Sequence, residues 1–172
     1  MEDFQTFKDC EGHEYCPRVS ALDIENLEHA RNVDIYAVIF RMAQDLTAKN
    51  AGKDKAEVDG NALTLLLFEY GEKLFGNCGA LMHFLFDACR KPGESVIFIH
   101  GKDDAGDPYI LEYHYEDFAS RITADEHNDA LLAGVNAILD WLPEPLKGEG
   151  GGRPFVEKLG HLLGKIFGKK PH

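Results

Sequence analysis

The sequence contains no apolar run long enough to cross a bilayer: its most apolar stretch, around Ala62–Phe68, falls far short of the roughly 18 residues that a span requires. It has no G-x-S-x-G, no P-loop, no G-x-G-x-x-G after a strand pattern and no H-E-x-x-H. The commonest nucleophile, phosphate, dinucleotide and zinc-protease signatures are therefore missing, which argues against an enzyme without excluding one. Cysteine is scarce as well. Cys10, Cys16, Cys78 and Cys89 are too few among 172 residues to form a disulfide scaffold, and the apolar neighbours of Cys78 and Cys89 suit buried thiols. The N-terminus, MEDFQTFKDC, is acidic and lacks the apolar centre of a secretory signal. The expected compartment is a reducing cytoplasm.

Positive charge is also in short supply. Eighteen Lys and Arg face thirty Asp and Glu, a formal net charge of −12, and such a chain is repelled by phosphate backbones and anionic lipid unless its basic residues are segregated. They are segregated: Arg153, Lys158, Lys165, Lys169 and Lys170 stand against Glu157 alone, so residues 153–172 carry +4 and residues 1–152 carry −16. No nucleic-acid partner is expected, and a membrane partner is disfavoured.

What is present is an ordinary globular composition, 44% apolar and 28% charged, of a length that suits one domain with an appendage. Asp3–Lys8 and Tyr15–Ser20 read as two strands around the DCEGHE turn, with Pro17 placing the second at an edge. Ser20 caps a first helix over 21–31 with Leu22, Ile24, Leu27 and Ala30 as its stripe. Val33, Ala37, Phe40, Met42 and Leu46 continue helical spacing, as a second helix or a bent extension. After the polar loop 50–60, Asn61 opens a third helix to Phe75, and GNCG separates it from a fourth over Ala80–Arg90. Leu63, Leu65, Leu66, Leu67 and Phe68 in one, and Leu81, Met82, Phe84, Leu85 and Phe86 in the other, make both apolar nearly all round, so both are expected at the centre or at an interface.

Val96–His100 and Tyr109–Tyr115 read as a second hairpin. Thr123 and Glu126 fit a capping box that opens a helix to Trp141, with Leu131, Val135, Ile138 and Leu142 on one face. Pro143 and Pro145 end it. The expected architecture is a mainly helical α+β domain over residues 1–145 with an N-terminal β-hairpin and a second one near the middle, a Gly-rich linker over 146–152, and a tethered basic amphipathic helix over 153–172. In that last helix Phe155, Leu159, Leu162, Leu163, Ile166 and Phe167 form an apolar stripe, with Lys158, Lys165 and Lys169 outside it. Gly160, Gly164 and Gly168 each cost about 1 kcal/mol relative to Ala, so the helix is expected to form on docking. These nine residues are the candidate partner-binding set, and docking on the acidic body, its own or a second copy's, ranks above a different partner and above a membrane.

Two clusters carry candidate chemistry. Cys10, His13 and Cys16 form C-x2-H-x2-C, whose residue types a zinc ion accepts, but a structural site needs a fourth ligand and a hairpin turn already accounts for the pattern. His100 and His114 fall on the two strands of the second hairpin and are placed to face one another, with Asp103, Asp104, Asp107, Glu112, Glu116 and Asp117 nearby. General acid–base chemistry can be built from such groups, and an acidic surface hairpin carries them equally well. Neither cluster supports a catalytic, cofactor or metal assignment.

The order of these features resembles a family of small proteins from prophage-like gene clusters, often of planctomycetes, that look like phage tail assembly chaperones. FKDCEGHEY (7–15) is similar to the family's F-x-D-x-x-G-x-x-Y/W hairpin, VSALDIENLEHARNVDIYAV (19–38) to its strand–helix–V-D-[IL] stretch, EKLFGNCGALMHFLFDACRKP (72–92) to its apolar helix, and YEDFASRITADEHNDALLAGVNAILDWLP (115–143) to its [DE]-[DE]-F, helix and closing proline. The chain departs from the pattern in its longer strand pair at 96–115 and in its glycine-linked basic helix. The resemblance implies a non-enzymatic, self-associating protein of the bacterial cytoplasm that keeps a tape-measure protein soluble and helps bring tail-tube subunits to it. A self-assembling structural protein, whose basic helix docks on an acidic neighbour, is the alternative reading. A small metal-binding or acid–base enzyme is a third.

Overall fold

The computed structural model of the chain describes residues 6–49 and 60–141. It is a mainly helical α+β fold with two antiparallel hairpins. The first pairs β1 (Phe7–Lys8) with β2 (Glu14–Tyr15), Phe7 opposite Tyr15. Residues 3–5 of the first strand pattern lie outside the described part, and β2 stops before Pro17, which has no N–H for a ladder. The chain beyond it runs along the end of another helix, where Arg18 N–H donates to the Ala88 carbonyl at 2.8 Å.

Helix α1 (Ala21–Arg31) starts at the expected cap. Ser20 and Asp23 satisfy each other's backbone donors, and Asn32 ends the helix in the left-handed region at φ 50°. That turn makes α2 (Ile35–Lys49) a separate helix, capped by the Asp34 carboxylate, which accepts from Ala37 N–H. The stripes differ from the sequence reading. Leu22 is 61% exposed and Ala30 is exposed, while Ile24 and Leu27 are buried. Among the described side chains of α2, Ile35, Ile39 and Met42, at i, i+4 and i+7, are buried, whereas Ala37 and Phe40 face outward. Met42 is buried as its spacing implies, but packing on α3 (Gly60–Phe75) buries Ile35 and Ile39 with it in place of Ala37 and Phe40.

Asn61 lies inside α3, one residue past its start, so it is not the cap. The side chains of Leu46, Leu63, Leu65, Leu66 and Leu67 are outside the described part; of the rest, Tyr70, Leu74 and Phe75 are buried and Phe68 is 41% exposed. Helix α4 (Cys78–Cys89) begins two residues earlier than its apolar pattern because the Asn77 carboxamide accepts from Ala80 N–H at 2.8 Å. Its Leu81, Met82, Phe84, Leu85, Phe86 and Ala88 are all buried, which makes it central as expected.

The second hairpin pairs β3 (Ile97–Lys102) with β4 (Pro108–Tyr113) in register, Ile97 opposite Tyr113 and Lys102 opposite Pro108. Asp103 tightens the loop between them by accepting from Ala105 and Asp107 N–H, which lets the ladder extend past His100. A short helix that the sequence pattern did not suggest, α5 (Tyr115–Ser120), follows at once. Asp117 starts it by accepting from His114 N–H at 3.1 Å, and Phe118 anchors it, fully buried against Phe7, Tyr15 and Phe86.

Helix α6 (Ala124–Trp141) opens on the expected Thr123–Glu126 box, in which Thr123 N–H donates to Glu126 at 2.8 Å. Instead of burying one face, it buries every residue from Ala130 to Leu139. Leu81, Leu85 and Phe75 pack around Gly134 on that side. With α4, it forms the centre of the fold. Leu142, the two prolines after it, the linker and the basic segment lie outside the described residues.

Candidate functional site

The polar centre of the N-terminal hairpin is Asp9, whose side chain is fully enclosed. Its carboxylate accepts from Glu11 N–H at 2.9 Å, His13 N–H at 3.0 Å and the Tyr15 hydroxyl at 2.8 Å, and His13 Nδ1 lies 3.2 Å away. Gly12 turns between them at φ 86°, a conformation that an L side chain resists. Burial, followed by the Asp9 hydrogen bond, pushes the Tyr15 phenol well above its ordinary range.

This turn is clamped to the rest of the fold. Cys10 N–H donates to the Arg121 carbonyl at 3.0 Å, and the Arg121 guanidinium lies 4.3 Å over the Tyr113 ring with its Nε 3.4 Å from Glu11. The Tyr113 hydroxyl sits 3.3 Å from His13 Nδ1. The cluster thus ties the first hairpin to the end of β4 and to the joint between α5 and α6.

The arrangement reassigns the C-x2-H-x2-C pattern. His13 points at Asp9 and Tyr113, while Cys10 and Cys16 are exposed. Among the described residues no three His, Cys, Asp or Glu side chains are grouped to hold a metal ion. The residues that matter in this loop are Phe7, Asp9, Gly12 and Tyr15, and their spacing was the available signal: a carboxylate two residues after one aromatic and six before another.

The second histidine pair is not a pair. His100 stands opposite Ile110 in the ladder, and His114 lies beyond the ladder at the start of α5, so they do not face one another; both are exposed. Of the acids around them, Asp103 holds the loop and Asp117 caps α5. Cys78, expected to be buried, is exposed at the start of α4, whereas burial raises the Cys89 thiol far above its ordinary range.

Clefts among the described residues include one of about 180 Å³ between Phe68, Phe75, Cys78, Leu81 and His127 and another of about 180 Å³ between Val33, Ala37, Arg41, Tyr70 and Lys73. Both are smaller than the several hundred Å³ of a typical small-molecule site, roughly 300–1,000 Å³. The more distinctive surface feature is apolar. Tyr36, Phe40 and Phe68 on α2 and α3, and Tyr109, Ile110 and Leu111 on β4, are large hydrophobic side chains from 36% to 62% exposed.

Compared with known proteins, the chain matches no family model, no curated protein and no solved structure. The basic set Phe155, Lys158, Leu159, Leu162, Leu163, Lys165, Ile166, Phe167 and Lys169 lies outside the described residues. Among those described, no helix is long and apolar enough to cross a membrane.

Proposed function

We propose that the protein works by holding other polypeptides rather than by catalysis, as a phage tail assembly chaperone that keeps a tape-measure protein soluble and delivers tail-tube subunits to it. The observation that supports this reading is the β3–β4 hairpin. Its two strands form a sheet of their own, β4 is exposed from Pro108 to Glu112, and Ile110 is 60% exposed with Tyr109 and Leu111 beside it. An unpaired strand edge that carries apolar side chains is a surface suited to pairing with another chain.

Four of the polar groups that the sequence offers for chemistry have structural roles. Asp9, Asp103 and Asp117 hold turns and caps, and His13 is turned into the Asp9 cluster. Co-production with the tape-measure and tail-tube proteins encoded beside the gene tests the reading. The proposal expects the tape-measure protein to become soluble and to co-purify with this chain. A tape-measure protein that stays insoluble and unbound, or a gene with no tail genes around it, contradicts the proposal.

A further inference from the structure

We propose that the exposed face of α2 is the seat of the chain's own basic C-terminal segment, residues 153–172. Tyr36 and Phe40, one turn apart on α2, are 42% and 62% exposed. Trp141, the last described residue of α6, lays its ring 5.9 Å from that of Tyr36. The described part of the chain therefore ends against an apolar surface.

The occupant follows from reach, length and charge. Residues 142–152 separate Trp141 from Arg153, and eleven residues span at most about 36–40 Å. A linker of that kind holds its segment at roughly millimolar effective concentration, far above that of a second copy in dilute solution. As a helix, the stripe from Phe155 to Phe167 is about 20 Å long, and the fifteen residues of α2 span about 22 Å. The segment carries +4 and the rest of the chain −16. Asp34, exposed at the start of α2, lies at one end of the apolar surface, while Arg41 lies further along α2, so the lysines of the segment align toward the Asp34 end.

Trp141 is the only tryptophan in the chain and stands at this seat, so its fluorescence reads the docking directly. The full-length protein is compared with the double variant Leu162→Asp/Ile166→Asp and with Phe40→Asp, whose site is exposed and outside the core. Docking predicts that both variants, and the wild type at high salt, shift the Trp141 emission to the red and raise its quenching by acrylamide. Emission and quenching that are the same in all of them overturn the proposal. Shielding that fades on dilution, together with a dimer mass by light scattering, also overturns it by making a second copy the occupant.

Discussion

The Tyr15 hydroxyl donates to the Asp9 carboxylate at 2.8 Å, across the turn whose own N–H groups the same carboxylate accepts. One side chain thus fixes the shape of the first hairpin and the position of the ring that Phe7 stacks on and Phe118 meets edge-on. The opening motif F-x-D-x-x-G-x-x-Y reads in these terms as a folding device: two aromatics for the core, a carboxylate for the turn and a glycine for its positive φ.

Asp9→Ala leaves the Tyr15 hydroxyl and two backbone donors without their acceptor, at a cost of about 3 kcal/mol. Cys10→Ser and Cys16→Ser, at exposed positions, change stability by about 0.5 kcal/mol or less. Urea unfolding of the three variants checks the contrast. Equal midpoints would remove Asp9 from the centre of the turn.

Phe118→Ala empties a fully buried site between two hairpin aromatics and Phe86, with an expected loss of about 4 kcal/mol. Leu22→Ala is expected to be nearly silent, within about 0.5 kcal/mol, although its spacing places it on the apolar stripe of α1. Thermal or urea denaturation distinguishes the two, and a large loss at Leu22 would restore the stripe read from the sequence.

That contrast marks what was legible. The Ser20 cap and the Thr123–Glu126 box were readable because the groups that make them lie within one turn of chain, although Asp23 as the partner of Ser20 emerged only in the fold. So were the two hairpins and the central place of α4. The facing of α2 was legible only at Met42: Ile35 and Ile39 compete with Ala37 and Phe40 for the interior, and only the position of α3 decides. Helix α5 is too short to show a period, and its signal is a single carboxylate, Asp117, placed to cap His114. The histidines failed as a pair because the register sets His100 opposite Ile110, so that even a longer β4 would carry His114 past His100 to the level of Val96.

Stability should fall at high pH. Burial first, and then the hydrogen bond to Asp45, push the Tyr70 phenol from 10.0 up to about 12. A folded-state value above the unfolded one favours the protonated phenol, so this contribution is complete below pH 10 and is lost as pH rises toward 12. Unfolding free energy measured across that window should decline, and Tyr70→Phe should flatten the decline. A variant with the same slope as the wild type would dissociate Tyr70 from the effect.

The central claim is that the exposed apolar strand β4 holds another polypeptide, and the most direct measurement is the fraction of tape-measure protein kept soluble by the full chain and by its Ile110→Asp/Leu111→Ser variant. Both side chains are exposed, so the variant should fold with unchanged circular dichroism and urea midpoint. The account predicts that the wild type keeps the tape-measure protein in solution and that the variant loses most of that capacity. A folded variant that solubilises it as well as the wild type does would contradict the account.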